Sequence, residues 1–275
     1  DVWVKMREMA YEHHPYQWMT IGKELKHVED ASLEDVKNFF RKHYNPANAI
    51  LVVAGNIVTE QVYELAVKWF GDIPSGEKYI RQVPQEQEQQ AARRMDITAD
   101  VPVDAFLKTW HMPSRMDSRY YTVDLITDIM GSGASSRLYQ SLVKEQQLFT
   151  NIDCYHFGSS DGGLLCIDGK LVKGITLEAA EAAVQQQIDL LIAEGVTPAE
   201  LEKVKNKTES TMAFEDMSVM NRAASLAYYE LLGDAQLMNT ELEKYYAVTA
   251  DDIQRESRRI FEERNSHTLY YRSKG

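Results

Sequence analysis

The strongest constraint on this chain is a short unit that occurs twice. Ser32-Leu33-Glu34-Asp35-Val36 and Thr249-Ala250-Asp251-Asp252-Ile253 share one pattern: a hydroxyl residue, an acid three positions on, then an apolar residue. The hydroxyl can accept from a free N–H of the first helical turn while the acid returns the favour, so both strings read as helix starts. Laying Ser32 on Thr249 also lays Arg41 on Arg258, Tyr44 on Phe261 and Asn48 on Asn265, and then strand on strand. A capped helix followed by a strand is a common unit, and its recurrence implies two related domains that end alike. The second copy has a long upstream half that the first lacks. The expectation is therefore a chain that begins within a domain.

The rest of the chain reads in the same terms. Val2, Met6, Met9 and Ala10 have helical spacing, stopped by Pro15. The Ser32 helix carries Val36, Phe39 and Phe40 as its apolar stripe and stops at Asn45-Pro46. Ala49 to Ala54 predicts a strand buried on both faces. A helix from Thr59 to Gly71 is expected to bury Val62, Leu65, Ala66, Trp69 and Phe70. Pro74-Ser75-Gly76, Pro84 and the run Gln85 to Gln90 offer nothing for a core and read as a linker between domains at 1–80 and 81–275. Strands near 93–99 and 103–111 follow, then a helix from Ser118 to Met130. Gly131-Ser132-Gly133 breaks it, and Ser135 or Ser136 caps the next. Two strands flank a Ser159-to-Gly163 turn, helices fill 177–194 and 198–217 and continue to about Gly233, and a last helix starts at Thr249. This is an α+β layer architecture, mostly antiparallel sheet packed with helices, with one incomplete and one complete domain.

Composition excludes some functions. A net charge of −12 repels phosphate backbones, so no nucleic-acid partner is expected. No apolar run approaches the ~20 residues of a membrane helix. Compartment stays open between bacterial periplasm and cytoplasm. The two cysteines, Cys154 and Cys166, sit in consecutive strands; a cross-strand bond needs them opposite one another, and two buried thiols are the simpler reading. None of the seven histidines stands in H-E-x-x-H or H-x-x-E-H. His13-His14 are adjacent rather than a turn apart and read as a solvated helix end.

Against this background a family likeness stands out. His14-Pro15-Tyr16, Ile21-Gly22, the Ser32 helix, Tyr44-Asn45-Pro46-Ala47-Asn48 running into Ala49–Asn56, and Trp69-Phe70-Gly71-Asp72-Ile73-Pro74 succeed one another as in the end of the first domain of an insulinase-like (pitrilysin or mitochondrial processing peptidase type) zinc peptidase. Gly131-Ser132-Gly133-Ala134-Ser135-Ser136-Arg137-Leu138-Tyr139 resembles that family's glycine loop running into Ser-Arg-Leu-aromatic.

The resemblance implies paired homologous domains that enclose a peptide substrate. It implies zinc in the full-length parent and none in this chain, because the family's zinc ligands precede the His-Pro-Tyr segment. No catalytic or metal residue carries over. Gly131, Ser132, Gly133 and Ala134 become a candidate substrate-facing loop. The family's arginine and tyrosine, which face the substrate carbonyl, would fall on Val143 and Thr150. Neither can replace them, so the resemblance implies a second insulinase-like subunit that supplies both. The rival expectations are a non-catalytic subunit of such a peptidase, or a peptide-binding or structural module.

Overall fold

A computed structural model describes residues 2–274. In chain order the elements are α1 (Val2–Ala10), α2 (Leu25–Glu29), α3 (Leu33–His43), α4 (Thr59–Phe70), β1 (Arg93–Ala99), β2 (Ala105–Met112), α5 (Tyr120–Gly131) and a π-helix (Tyr139–Glu145). There follow β3 (Phe149–Phe157), β4 (Gly163–Leu171), α6 (Leu177–Glu194), α7 (Pro198–Glu215), α8 (Val219–Leu231), α9 (Leu237–Ala247), α10 (Ala250–Ile260) and β5 (Ser266–Ser273). The chain divides into two compact units, one of residues 1–18, 84–208 and 242–275, the other of residues 19–83 and 209–241.

In the first unit the last strand organises the sheet. The order is β1-β5-β2-β4-β3, so β5 inserts between two strands that precede it by more than a hundred residues. It pairs parallel with β1 and antiparallel with β2, and every other pairing is antiparallel. Strand alternation sends Phe106, Trp110, Ile152, Leu165, Ile167 and Tyr270 to one face, where α5, α6 and α10 supply Leu125, Ile126, Ile129, Val184, Ile188 and Ile253. On the other face α1 lays Met6 and Met9 on Leu107 and Leu269, and its end at Ala10, with Tyr11 just beyond, packs on Leu164 and Cys166. Each such side chain contributes about 1.5–3 kcal/mol by leaving water. The expected α+β class and mostly antiparallel sheet are what the structure has.

The second unit departs from expectation. The predicted stripe of α3 is exposed, with Val36 at 59% and Phe39 and Phe40 at 58%. No residue of α4 is buried, Trp69 and Phe70 included. Residues 49–54 belong to no strand or helix, and most of them are exposed. The reason is pairing: a strand exists only where neighbours take its N–H and C=O groups, and among the described residues none does so here. Its capping box is nevertheless intact, with the Ser32 hydroxyl accepting from Asp35 N–H and the Asp35 carboxylate accepting from Ser32 N–H.

The expected linker is only partly one. Glu86 accepts backbone N–H groups from Glu12, His13 and His14 at 2.9–3.0 Å. Gln89 is buried, donating to the carbonyls of Arg264 and Ser266 while its oxygen meets His267 Nε2 at 2.6 Å. One amide and one carboxylate thus pin a segment that composition marks as solvated. His14 is likewise buried, not the solvated helix end read from the sequence. The ring after α1 turns inward because its Nδ1 accepts from Tyr16 N–H.

Candidate functional site

The glycine loop is placed by α5, whose inner face from Tyr121 to Gly131 is buried against β3. At its end the chain comes so close to β3 that a Cβ on Gly131 would lie 2.0 Å from Cys154 N. Only glycine allows that approach. Gly133 then takes φ +80°, a left-handed turn that again favours glycine. Two lysines of α7 latch the loop from outside: Lys207 bonds Asp128 at 2.7 Å and the Ser132 hydroxyl, and Lys203 bonds the Ser135 carbonyl at 3.0 Å.

Gly131, Ser132 and Gly133 line a cavity of 490 Å³ with Asn151, Asp153, Cys154, Tyr155 and Asp168. Ala134 lies beyond it. β3 is an edge strand, bonded among the described residues to β4 alone, so one row of its backbone groups is unpaired within the sheet. Asp153 and Asp168 stand directly opposite each other across β3 and β4. Burial, reinforced by Asp153, raises the Asp168 carboxyl above its usual range, against the Tyr155 hydroxyl that donates to it at 2.9 Å. Sequence reasoning does not single out this carboxylate pair, because the opposition of Asp153 and Asp168 depends on the register about the Ser159–Gly163 turn. The same register puts Cys154 opposite Ile167 and Cys166 opposite Tyr155. The thiols therefore point to opposite faces of the sheet, both free, and burial raises both above the usual thiol range.

The motif after the loop is structural. Arg137 clamps Glu200 with two bonds of 2.8 and 3.0 Å and adds the Gly195 carbonyl, tying the loop to the start of α7. The guanidinium holds the Glu200 carboxyl down at about 2. The predicted helix after Ser135-Ser136 is a π-helix, and the chain leaves it through Gln147 at φ +54°. Val143 lies in that π-helix, half-buried against the core, while Thr150 is exposed near the start of β3 with its hydroxyl on the Lys170 carbonyl.

Histidine geometry does not fit a zinc ion. His111 Nε2 is bonded to the Ala10 carbonyl, His156 Nε2 to Asp124 and His267 Nε2 to Gln89. Among the described residues no three His, Cys, Asp or Glu side chains converge as ligands would.

With this geometry in view, comparison with known proteins decides the family. The sequence profile described as "Peptidase M16 inactive domain" matches residues 30–208, well over half of the chain. The chain belongs to the peptidase M16 inactive-domain family. M16 relatives include the zinc protease PqqE of Helicobacter pylori, 24% identical over 95% of this chain and 59% of that protein. Another is the uncharacterized zinc protease YmxG of Bacillus subtilis, 21% identical over 94% of this chain and 62% of that one. The chain thus spans about six-tenths of the length of these curated relatives. Among solved structures, a protease from Helicobacter pylori superposes with a TM-score of 0.90 at 23% identity, covering 98% of this chain and 66% of its own. A peptidase M16 inactive domain from Pseudomonas fluorescens gives 0.83 at 18%, covering 98% and 63%. At these identities the structural likeness establishes the M16 fold. No helix among the described residues is long and apolar enough to cross a membrane.

Proposed function

We propose that this chain is the non-catalytic part of a zinc-dependent endopeptidase, residues 1–80 ending one M16-type domain and 81–275 forming a second, and that it holds peptide for a metal site lying outside it. The observation that carries this is the glycine loop seated on the free edge of β3, beside an opposed carboxylate pair. An extended peptide adds to such an edge through main-chain bonds, and pockets along it read alternate side chains. The zinc, its water and its base belong in this reading to the full-length parent, as the zinc-protease names of the relatives suggest.

Val143 and Thr150 supply neither charge nor phenol to a substrate carbonyl, so a second insulinase-like subunit provides the arginine and tyrosine. Loss of one oxyanion donor lowers turnover by about 10²–10³. The test assays the full-length parent on an unstructured peptide, alone and with that partner. Cleavage rising at least about a hundredfold on addition is expected. Full activity of the parent alone sinks the two-subunit reading, and no activity of the pair leaves the chain as a non-catalytic, peptide-binding subunit.

A further inference from the structure

The two edges of the sheet are built differently. β1, at one end, carries Arg93, Arg94 and Asp96, which are held in ion pairs with Glu12, Glu181 and Arg272 respectively. Charges along an edge deter another chain from pairing with it. β3, at the other end, has Asp153 as its one acid and contains no lysine, arginine or proline. Its C-terminal half is aromatic instead.

Strand alternation places Asp153, Tyr155 and Phe157 on one face, opposite Asp168, Cys166 and Leu164 of β4. α1 lies on that same face and braces both rings. Trp3 meets Phe157 edge-on at 4.8 Å and Tyr155 at 6.1 Å, and the Arg7 guanidinium stands 5.9 Å over the Phe157 ring. The Tyr155 hydroxyl is fixed on Asp168 at 2.9 Å. Phe157 nevertheless stays 42% exposed. Rings already braced lose little freedom when a strand is laid beside them, and cross-strand aromatic contacts favour that strand.

We propose that the β3 edge selects extended peptides by a large apolar or aromatic side chain set against Tyr155 and Phe157. The inference rests on the peptide-holding reading and adds to it the kind of residue the peptide must carry. An added strand alternates as β3 does, so every second side chain of the peptide falls on the face of the two rings. A second copy of β3 offers the same backbone. Each copy, however, carries a net charge of −12, which opposes self-pairing.

The test uses the intact chain and peptides of the form acetyl-Thr-Gln-Thr-Xaa-Thr-Gln-Thr-amide, with Xaa phenylalanine, leucine or alanine. Backbone amide signals of β3 are followed by NMR. All three peptides are expected to shift them, the phenylalanine and leucine peptides binding about three- to fivefold tighter than the alanine peptide. Phe157→Ala should remove most of this preference and leave the affinity of the alanine peptide as it was. Phe157→Thr, which keeps a strand-favouring residue, holds the test open should the alanine variant fail to fold. Equal affinity of the three peptides, or a preference undiminished in both variants, overturns the inference and leaves the peptide-holding reading standing. Silence of β3 to every peptide overturns both. Shifts along β3 that grow with protein concentration alone, with a dimer in sedimentation, assign the edge to a second copy and overturn the inference.

Discussion

The two copies of the repeated unit carry the same local instructions and reach opposite states. Both helices open with a complete capping box, Ser32 with Asp35 and Thr249 with Asp252. Yet Ile253 is fully buried where Val36 is 59% exposed, and Phe261 is 6% exposed where Tyr44 is 67%. After α10 the chain becomes β5, gripped by β1 and β2; after α3 residues 49–54 form no strand. A helix closes its own hydrogen bonds, so its code is local. A strand borrows its partners, so the same code yields a strand only where a sheet is present to receive it.

Matched truncations test the comparison most severely. Ile253→Ala should cost about 2–5 kcal/mol in chemical denaturation, since the fixed walls of the core leave a cavity. Val36→Ala should stay within about 0.5 kcal/mol. Comparable losses at both positions would mean that the first copy is packed as the second is, and the contrast would fall.

The next effect sharpens the picture of the covered region. Gly131→Ala forces a methyl into the Cys154 backbone, and overpacking of this kind costs about 1–3 kcal/mol. Circular dichroism melts should show it, with faster amide exchange along β3. An unchanged melt would mean that α5 lies farther from the strand.

Much of this was legible in the sequence, for definable reasons. The two caps needed four residues each, and the glycine loop needed only its order of small residues before Ser136-Arg137-Leu138. Burial of α3 and α4 was misread because amphipathicity states which face wants cover, not whether cover exists. Glu86 and Gln89 escaped because a polar run has no periodicity to mark which side chain turns inward. Asp153 and Asp168 escaped because opposition is a property of register, which depends on where the Ser159–Gly163 turn folds.

pH separates the copies more gently. His267 on β5 corresponds to Ile50, so only the second copy buries an ionisable ring at this position. Burial, with His111 adding to it, pushes His267 down to about 3. The folded value lies below the unfolded one of ~6.5, so the neutral ring's contribution is whole above that pH and is lost as pH falls from there toward 3. Denaturation midpoints should decline across this window, and His267→Gln should flatten the decline. A slope unchanged by the substitution would assign it to other groups.

The smallest effect probes what the copies share. A cap acts on the first turn of its own helix, so removing it should be felt in both copies whatever packs on the far face. Thr249→Ala removes the hydroxyl that accepts from Asp252 N–H at 3.1 Å and should cost about 1 kcal/mol of the first unit's stability. Ser32→Ala removes the equivalent acceptor, 3.2 Å from Asp35 N–H, at a helix with no buried face. Its loss should speed amide exchange in the first turn of α3 while leaving the melt of the sheet unmoved. If Ser32→Ala left α3 untouched, exposed α3 would not be held by its cap, and the claim that one local code serves both copies would fail. If it lowered the melt of the sheet, the first copy would be coupled to packing that its exposed surface does not show.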